Sequence, residues 1–314
     1  MWDSRGEGGK RIYTKSGGCG KIEVVMKRAK ISVVCPLYEA EGDVLRLDES
    51  LTVQEGISFA EIFYVLTKGN DKTSEVMKKS GILERPEVKF SEISKEDFSH
   101  SLTREKAAFS ATGEVIVFLT QDVEIRDTHF LEKLVQPIVT GEADATYAKQ
   151  ITKYNNIEKY TRESNYPAKS FTVSKKDIEK LGLKTFFFSD AAGAVSREKF
   201  VELGGYDSKD LPISEDMYFA HKLIMAGGKI RYVAEAMCYH SHDFKLSELY
   251  DRYKLTGEFM KMNPEIAKSG VNAAGGGMAK YIFKRAWQER NFKVLAGFLP
   301  NMGARYLGMR RGRK

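Results

Sequence analysis

The pattern of apolar and polar residues predicts alternating strands and helices from residue 31 onward. Short runs rich in β-branched and aromatic residues, which are typical of buried strands, cover 31–35, 60–66, 88–93, 115–119, 230–233 and 237–240. Apolar residues at helical spacing, or a glycine that ends such a pattern, predict helices over 43–54, 103–112, 196–203 and 214–226. This alternation indicates an α/β chain with one Rossmann-like, mostly parallel central sheet and flanking helices.

The pattern also divides the chain into three parts. Residues 1–30 form a basic extension, partly flexible, with a short strand predicted near 22–26; the α/β domain covers 31–245; and 246–314 is helical, basic and amphipathic. In a mostly parallel sheet, ligands bind beyond the carboxyl ends of the strands. Polar residues that directly follow a strand are therefore the candidates for chemistry.

Positive charge lies at the two ends of the chain. Of the net +7, residues 1–30 carry +5 and residues 278–314 carry +9, which leaves −7 for residues 31–277. An enzyme or binder of nucleic acid is expected to carry basic charge along the groove that meets phosphates. The acidic body therefore argues against a nucleic-acid partner.

Cysteine content and hydropathy indicate the compartment. The three cysteines, Cys19, Cys35 and Cys238, are too few and too far apart for a disulfide framework or a CxxC metal site, which favours a reducing cytosol. No run of 18 apolar residues predicts a transmembrane helix, and no apolar segment near the N-terminus predicts a secretion signal.

Asp122 follows the most apolar predicted strand, in the sequence Thr120-Gln-Asp122. A carboxylate at the mouth of the sheet could hold a divalent ion against a diphosphate, since hard cations prefer oxygen ligands. An Asp that only stabilises a turn is the alternative.

The segment Ser214-Glu-Asp216 also allows two interpretations. Ser214 suits a helix N-cap with acids in the first turn, which would be a structural role. A carboxylate there could instead serve as a general base.

Two further segments carry candidate ligands. His240 and His242 stand two residues apart, so in an extended chain both imidazoles face one side and could bind a metal. Thr103 and Arg104, after His100, lie near a predicted helix N-terminus, where backbone N–H groups and a guanidinium could bind phosphate. A structural histidine and a solvated helix start are the corresponding alternatives.

Taken in order, these segments resemble the family 2 glycosyltransferases of GT-A fold, and in particular their rhamnosyltransferase branch. The similarity spans about 31–255 and rests on the segments 31–36, 97–104, 113–122, 162–167, 187–190, 214–216 and 239–242. The resemblance implies a metal-dependent enzyme that inverts the anomeric centre in one displacement. The implied donor is dTDP-L-rhamnose, and the implied product is an α-rhamnoside of a bacterial surface polysaccharide.

The resemblance also implies roles for individual residues. Asp122 would bind Mg²⁺ or Mn²⁺ with His240 or His242, Asp216 would be the catalytic base, and Glu215 and Asp190 would complete the catalytic group. The implied donor-binding residues are Pro36, Tyr38, Glu39, His100, Thr103, Arg104, Gln121 and Asp122. The chain departs from relatives at Ser101 and Glu105, and it lacks the usual Asp after the second strand, where Asp71 is the nearest acid. A UDP-hexose donor and a non-catalytic carbohydrate-binding homologue therefore remain alternatives.

The basic C-terminal segment mixes aromatic residues with Lys and Arg. Such helices suit an anionic membrane surface, which would place the protein in the cytoplasm at the inner face of the cell membrane with a lipid-linked saccharide as acceptor. A solvated helical face that packs back on the domain is the alternative.

Overall fold

The central sheet is mixed and mostly parallel, as predicted. The computed structural model describes residues 11–13, 24–26 and 28–314, without the side chains of 11–13, 24–26 and 271–274. Outside the sheet, β1 (Arg11–Tyr13) and β2 (Val24–Met26) pair in antiparallel fashion. This confirms the strand predicted near 22–26; most of the predicted extension lies outside the described residues.

Eight of the described strands form the central sheet, in the order β5-β4-β3-β6-β9-β7-β10-β8. They are β3 (Ala29–Tyr38), β4 (Ile57–Thr67), β5 (Val88–Ile93), β6 (Val115–Leu119), β7 (Ala145–Ile151), β8 (Phe171–Val173), β9 (Ala192–Ser196) and β10 (Ile230–Tyr239). Only β8 and β9 run antiparallel to their neighbours in this sheet.

Helices cover both faces of the sheet and continue to the C-terminus. They are α1 (Val44–Thr52), α2 (Thr73–Lys79), α3 (His100–Ser110), α4 (Phe130–Val139), α5 (Ile157–Asn165), α6 (Ile178–Leu181), α7 (Arg197–Glu202), α8 (Glu215–Met225), α9 (Leu246–Met262), α10 (Pro264–Ala267), α11 (Val271–Gln288) and α12 (Phe292–Arg313).

Strand β6 shows how the sequence encodes the layered core. All five of its residues are buried. Val115, Val117 and Leu119 belong to the hydrophobic cluster on one face of the sheet, and Ile116 and Phe118 belong to the cluster on the other. Since successive side chains of a strand point to opposite faces, an unbroken apolar run is required when both faces are covered.

Strand β3 continues through Pro36, where the sequence predicted its end. Beyond Val34 the strand pairs only with β4, because its pairing with β6 stops at Val34 and Phe118. A proline lacks an N–H group and is tolerated where one side of a strand is free.

Strand β10 replaces the two strands that the sequence predicted over 230–233 and 237–240. A register shift between Val233 and Met237 separates its two halves.

Two helix starts differ from the prediction. Helix α3 begins at His100 because the Ser99 hydroxyl accepts a hydrogen bond from Leu102 N, so Thr103 and Arg104 lie in its second turn and away from its free N–H groups. Anion binding by these two residues therefore stays a prediction, and it would rest on their side chains. Ser214 precedes α8 as predicted, but it adopts a left-handed conformation (φ 64°) and its side chain makes no cap.

Helices α9 and α12 cross in close contact at glycines. A Cβ atom on Gly312 would lie 1.9 Å from the carbonyl oxygen of Lys254, and one on Gly257 would lie 2.5 Å from that of Met309. The backbones can approach this closely only because side chains are missing there. Among the described residues, no helix combines the length and apolar character needed to cross a membrane.

Replacing Gly312 with Ala is expected to destabilise the protein by about 1–3 kcal/mol, since the new methyl group forces the two helices apart. Urea unfolding would measure the change. Gly303→Ala in the same helix is the matched control: nothing lies within 4 Å of its added Cβ, so helix propensity alone should raise stability by up to about 1 kcal/mol. Equal stability of the two variants would contradict the close packing.

Candidate active site

Asp122, His240 and His242 come together at the carboxyl ends of β6 and β10. The turn after β6 is joined to the end of β10 by an isolated antiparallel bridge, in which Glu124 and Tyr239 exchange backbone hydrogen bonds of 2.8 and 2.9 Å. This bridge brings Asp122 beside His240, although 118 positions separate them. The predicted convergence of the two histidines is also seen, with their ring centroids 4.4 Å apart.

The three side chains form a group that could hold a metal ion. Their ligand atoms all lie within 4.8 Å of one another, and His240 Nε2 is 3.3 Å from Asp122 Oδ2. Burial by itself would raise the pKa of Asp122, but the hydrogen bond and charge of His240 outweigh burial, so the pKa is lowered. For His242, burial disfavours the protonated ring and lowers its pKa to about 4. One carboxylate and two neutral imidazoles are a donor set suited to a divalent transition metal.

Gln150 holds His240 in the orientation that a metal ligand needs. Its Oε1 atom accepts a hydrogen bond from Arg162 Nη1 (2.6 Å), and its Nε2 atom donates to Ser189 Oγ (2.9 Å). The amide oxygen also lies 2.8 Å from His240 Nδ1, so that nitrogen must carry the proton. Nε2, the atom that faces Asp122, is therefore the nitrogen whose lone pair a bound cation would take up in place of a proton. The residues present thus fit a bound cation.

Gln150→Leu is expected to weaken Mn²⁺ binding about 10- to 100-fold, because the substitution removes the acceptor that fixes the histidine tautomer. Calorimetric titration of the purified chain with Mn²⁺ measures this without turnover. Gln288→Leu, an exposed change at the end of α11, is the control and should bind Mn²⁺ like the parent. Unchanged affinity in Gln150→Leu would rule out the positioning role.

A second cluster contains the predicted carboxylates. Arg104 is buried between them: its Nη1 atom is 3.3 Å from Glu215 Oε1 and donates to the His100 carbonyl (2.9 Å). Tyr206 donates its phenolic proton to Asp190 Oδ2 (2.6 Å). Asp216, in the first turn of α8, accepts from the backbone N–H of Met217 (2.7 Å).

Electrostatics in this cluster favour protonated carboxyl groups. Burial raises the pKa of Asp190 to about 7, although Arg104 opposes the shift. Burial raises the pKa of Asp216 well above its usual range, and the charges of Glu215 and Asp190 raise it further. A carboxylate in such surroundings holds a proton more firmly than it would in water, as a general base must. Asp190 Oδ1 is buried without a hydrogen-bond partner among the described residues.

The two clusters are neighbours at one edge of the sheet. Ser189 accepts from Gln150 in the first cluster, and the next residue, Asp190, accepts from Tyr206 in the second. Cys35, near the carboxyl end of β3, experiences the charges of both Arg104 and Asp122. The candidate metal centre and the carboxylate cluster are therefore adjacent.

Residues that the sequence marked only as departures hold the loop before α8. The Glu105 carboxylate accepts hydrogen bonds from the N–H groups of Tyr206 (2.6 Å) and Ser208 (3.2 Å). Ser101 Oγ donates to the Lys209 carbonyl (2.6 Å) and accepts from Leu211 N (2.8 Å). Nothing in the sequence pattern pointed to these contacts, because their partners lie about 100 positions away.

The predicted donor-binding residues fall into two groups. Tyr38 and Gln121 lie together, since the Gln121 amide accepts from Tyr38 N (2.7 Å) and donates to Tyr38 O (2.8 Å). Pro36 lies in the same strand, and Glu39 follows it with a left-handed backbone (φ 47°). Asp71 instead accepts from Glu41 N and from the Thr73 hydroxyl, so it serves the loop before α2.

Three more of the predicted donor-binding residues make contacts within the fold. Arg104 pairs with Glu215 and its side chain is 5% exposed, so it belongs to the carboxylate cluster. Thr103 Oγ1 accepts from Ser99 N (3.2 Å) within the helix start. His100 is exposed, and its ring packs edge-on against Phe98.

Two O-antigen chain rhamnosyltransferases are similar in sequence to this chain. The chain is 38% identical over 188 residues to the O-antigen chain rhamnosyltransferase RfbN of Salmonella typhimurium (strain LT2), which covers 59% of this chain and 60% of RfbN. It is 36% identical over 188 residues to the O-antigen chain rhamnosyltransferase WbaN of Salmonella anatum, covering 59% of each chain. The matched region thus spans about three fifths of the length of these relatives.

Solved structures share the fold at low sequence identity. A mannosyltransferase from Pyrobaculum calidifontis, PcManGT, solved with GDP-Man and Mn²⁺, superposes with a TM-score of 0.62 at 13% identity, covering 91% of this chain and 87% of that one. Residues 1–349 of S. aureus TarS give a TM-score of 0.57 at 16% identity, covering 90% and 89%. These likenesses confirm the predicted GT-A fold.

The family assignment rests on the sequence match. The model of Glycosyl transferase family 2 matches residues 32–204, more than half of the chain. This span contains β3 to β9, Asp122 and Asp190, and it ends before Asp216 and His240. By this match, supported by the fold and by its rhamnosyltransferase relatives, the chain belongs to glycosyl transferase family 2.

Proposed function

We propose that the chain is an inverting, metal-dependent glycosyltransferase that transfers L-rhamnose from dTDP-L-rhamnose to a saccharide during synthesis of a bacterial surface polysaccharide. The observation that carries this proposal is the juxtaposition of two clusters at one edge of the sheet, a metal-capable Asp122–His240–His242 group and the carboxylates around Arg104. The similarity to the rhamnosyltransferases RfbN and WbaN supports rhamnose as the sugar.

Asp216 is the base in this proposal. A hydroxyl oxygen of the acceptor attacks the anomeric carbon as its proton passes to the Asp216 carboxylate, and the bond from that carbon to the diphosphate oxygen breaks with its electron pair leaving on the diphosphate. One displacement inverts the anomeric centre. Such a positioned base typically contributes about 10²- to 10⁴-fold in rate.

Asp122, His240 and His242 would hold Mn²⁺ or Mg²⁺ beside the diphosphate. Bound there, the cation would neutralise charge on the leaving group. Gln150 and Arg162 keep His240 in the required tautomer. Arg104 holds Glu215 in place, so that pair orients the start of the helix that carries the base.

The nucleotide end of the donor would lie at the end of β3. Tyr38 is 40% exposed there, and Lys95 stands over its ring at 5.0 Å from the centroid. Gln121 fixes the Tyr38 backbone, while Pro36 and Glu39 shape the edge of the cleft.

The acceptor in this proposal is lipid-linked, which places the enzyme in the cytoplasm at the inner face of the cell membrane. The basic, aromatic surface of the C-terminal helices supports that location.

Donor hydrolysis and transfer, measured across dTDP-L-rhamnose, UDP-glucose, UDP-galactose and UDP-GlcNAc with Mn²⁺, test the donor. We expect turnover with dTDP-L-rhamnose at least 10-fold above the others. Turnover with a UDP-sugar alone would overturn the rhamnose assignment and leave the glycosyltransferase assignment intact. Asp216→Asn, assayed under the same conditions as the parent, shows how much of the measured hydrolysis and transfer depends on this site.

A further inference from the structure

One face of α11 carries aromatic and basic residues that the fold does not use. Lys280, Phe283, Lys284 and Trp287 follow the spacing i, i+3, i+4, i+7, which places them on a single face of the helix, here named the outer face. Phe283 is 48% exposed and Trp287 is 65% exposed. Burying such side chains would be favourable, so their exposure marks a surface with a binding role.

The outer face continues into a groove against α12. Phe283 packs on Phe298 of α12 with ring centroids 5.5 Å apart, and an open groove of about 720 Å³ runs beside these rings and Trp287. At the start of α12, Phe292 is 70% exposed and Leu299 is 77% exposed. The aromatic surface therefore extends over both helices.

The opposite face of α11 already has its partner. Ile282 and Ala286 are buried against Tyr160 of α5, which fixes the rotation of the helix. The same helix α5 carries Arg162, which contacts Gln150 behind the candidate metal ligand His240. The outer face thus lies about one helix diameter, roughly 10 Å, beyond an element of the active site.

The unpaired charges around the outer face are positive. Glu289 is the only acid among residues 278–314. Its charge is balanced, because it pairs with Lys159 (2.5 Å) and Arg285 (2.6 Å) and accepts from Tyr160. Lys280, Lys284 and Lys293 make no ion pair with any described residue, so the exposed charge around the aromatic surface is positive.

We propose that the outer face of α11, with Phe292 and Leu299 of α12, docks on an anionic lipid bilayer. The aromatic side chains enter the headgroup region while the lysines remain beside the lipid phosphates. Docking in this orientation holds α5, and the active site behind it, at the surface where a lipid-linked acceptor lies. This inference rests on the lipid-linked acceptor proposed above. Because vesicle binding is measured without turnover, its failure would leave the glycosyltransferase assignment intact.

Tryptophan fluorescence tests the insertion directly. The chain contains two tryptophans, Trp2 and Trp287, so the full-length Trp2→Phe variant reports on Trp287 alone. With vesicles containing 30% phosphatidylglycerol we expect a blue shift of its emission and quenching by brominated acyl chains. Binding without blue shift or quenching would overturn insertion of the outer face.

Charge reversal tests the electrostatic part. Lys280→Glu/Lys284→Glu should lower binding to the anionic vesicles by at least about 10-fold. The exposed pair Lys78→Glu/Lys79→Glu on α2 changes net charge equally and should bind nearly as the parent. Equal losses in both variants, equal binding to phosphatidylcholine vesicles, or a lipid-free dimer that already shields Trp287 would each overturn the proposal.

Discussion

Asp216→Asn is expected to lower the turnover number about 10²- to 10⁴-fold while leaving donor affinity and thermal stability within twofold and about 1 °C of the parent. The amide keeps the size of the side chain and can accept the hydrogen bond from Met217 N, but it cannot take the proton of the acceptor hydroxyl. Transfer assayed at saturating donor and acceptor, with donor binding measured separately, distinguishes lost chemistry from lost binding.

Asp251→Asn, an exposed change on α9, is the matched control and should retain full turnover. The pH profile adds a second readout. Because burial and neighbouring acids raise the pKa of Asp216, its basic form is lost as pH falls, at a pH above that of an ordinary carboxyl group. The acid limb of the parent profile should therefore disappear in Asp216→Asn. Full activity of that variant would favour a non-catalytic role for the cluster.

Asp122→Asn is expected to reduce turnover by at least about 10²-fold and to weaken Mn²⁺ binding, since the substitution removes the only carboxylate of the metal-capable group. Chelation by EDTA should abolish transfer by the parent, and Mn²⁺ should restore it at a lower concentration than Mg²⁺ because two of the three ligands are imidazoles. Calorimetry with Mn²⁺ provides a readout independent of turnover.

Asp127→Asn controls for charge near this site. Asp127 lies on the same connection after β6, but its carboxylate pairs with Lys133 at the surface. We expect Mn²⁺ affinity and turnover of this variant to match the parent. Full transfer after exhaustive EDTA treatment, or normal Mn²⁺ binding by Asp122→Asn, would contradict the assignment of Asp122 as a metal ligand.

The site shows what local pattern can and cannot predict. Asp122 was identifiable because it follows an unbroken apolar strand, and strand ends of such sheets are where ligands bind. His240 and His242 were identifiable from their spacing of two. Gln150 carried no such signal: it is one polar residue in β7, and its importance comes only from its contacts with His240 and Arg162.

Arg104 shows a prediction that tertiary contacts changed. Its place after a helix start suggested a phosphate ligand, yet its guanidinium is buried against Glu215. A buried charge requires an opposite charge nearby, and the sequence does not reveal which acid, 111 positions away, supplies it. The roles of Ser101 and Glu105 were hidden for the same reason.

The sequence by itself determined the alternation of strands and helices, the sheet edge where chemistry lies, the family resemblance and the basic aromatic C-terminus, because each depends on residue type and on spacing over a few positions. Only the tertiary structure decided the partner of Arg104, the tautomer of His240, the meeting of Asp122 with both histidines and the exposed face of α11. These depend on contacts between residues far apart in the chain, and local periodicity carries no information about which distant side chains a fold brings within hydrogen-bonding distance.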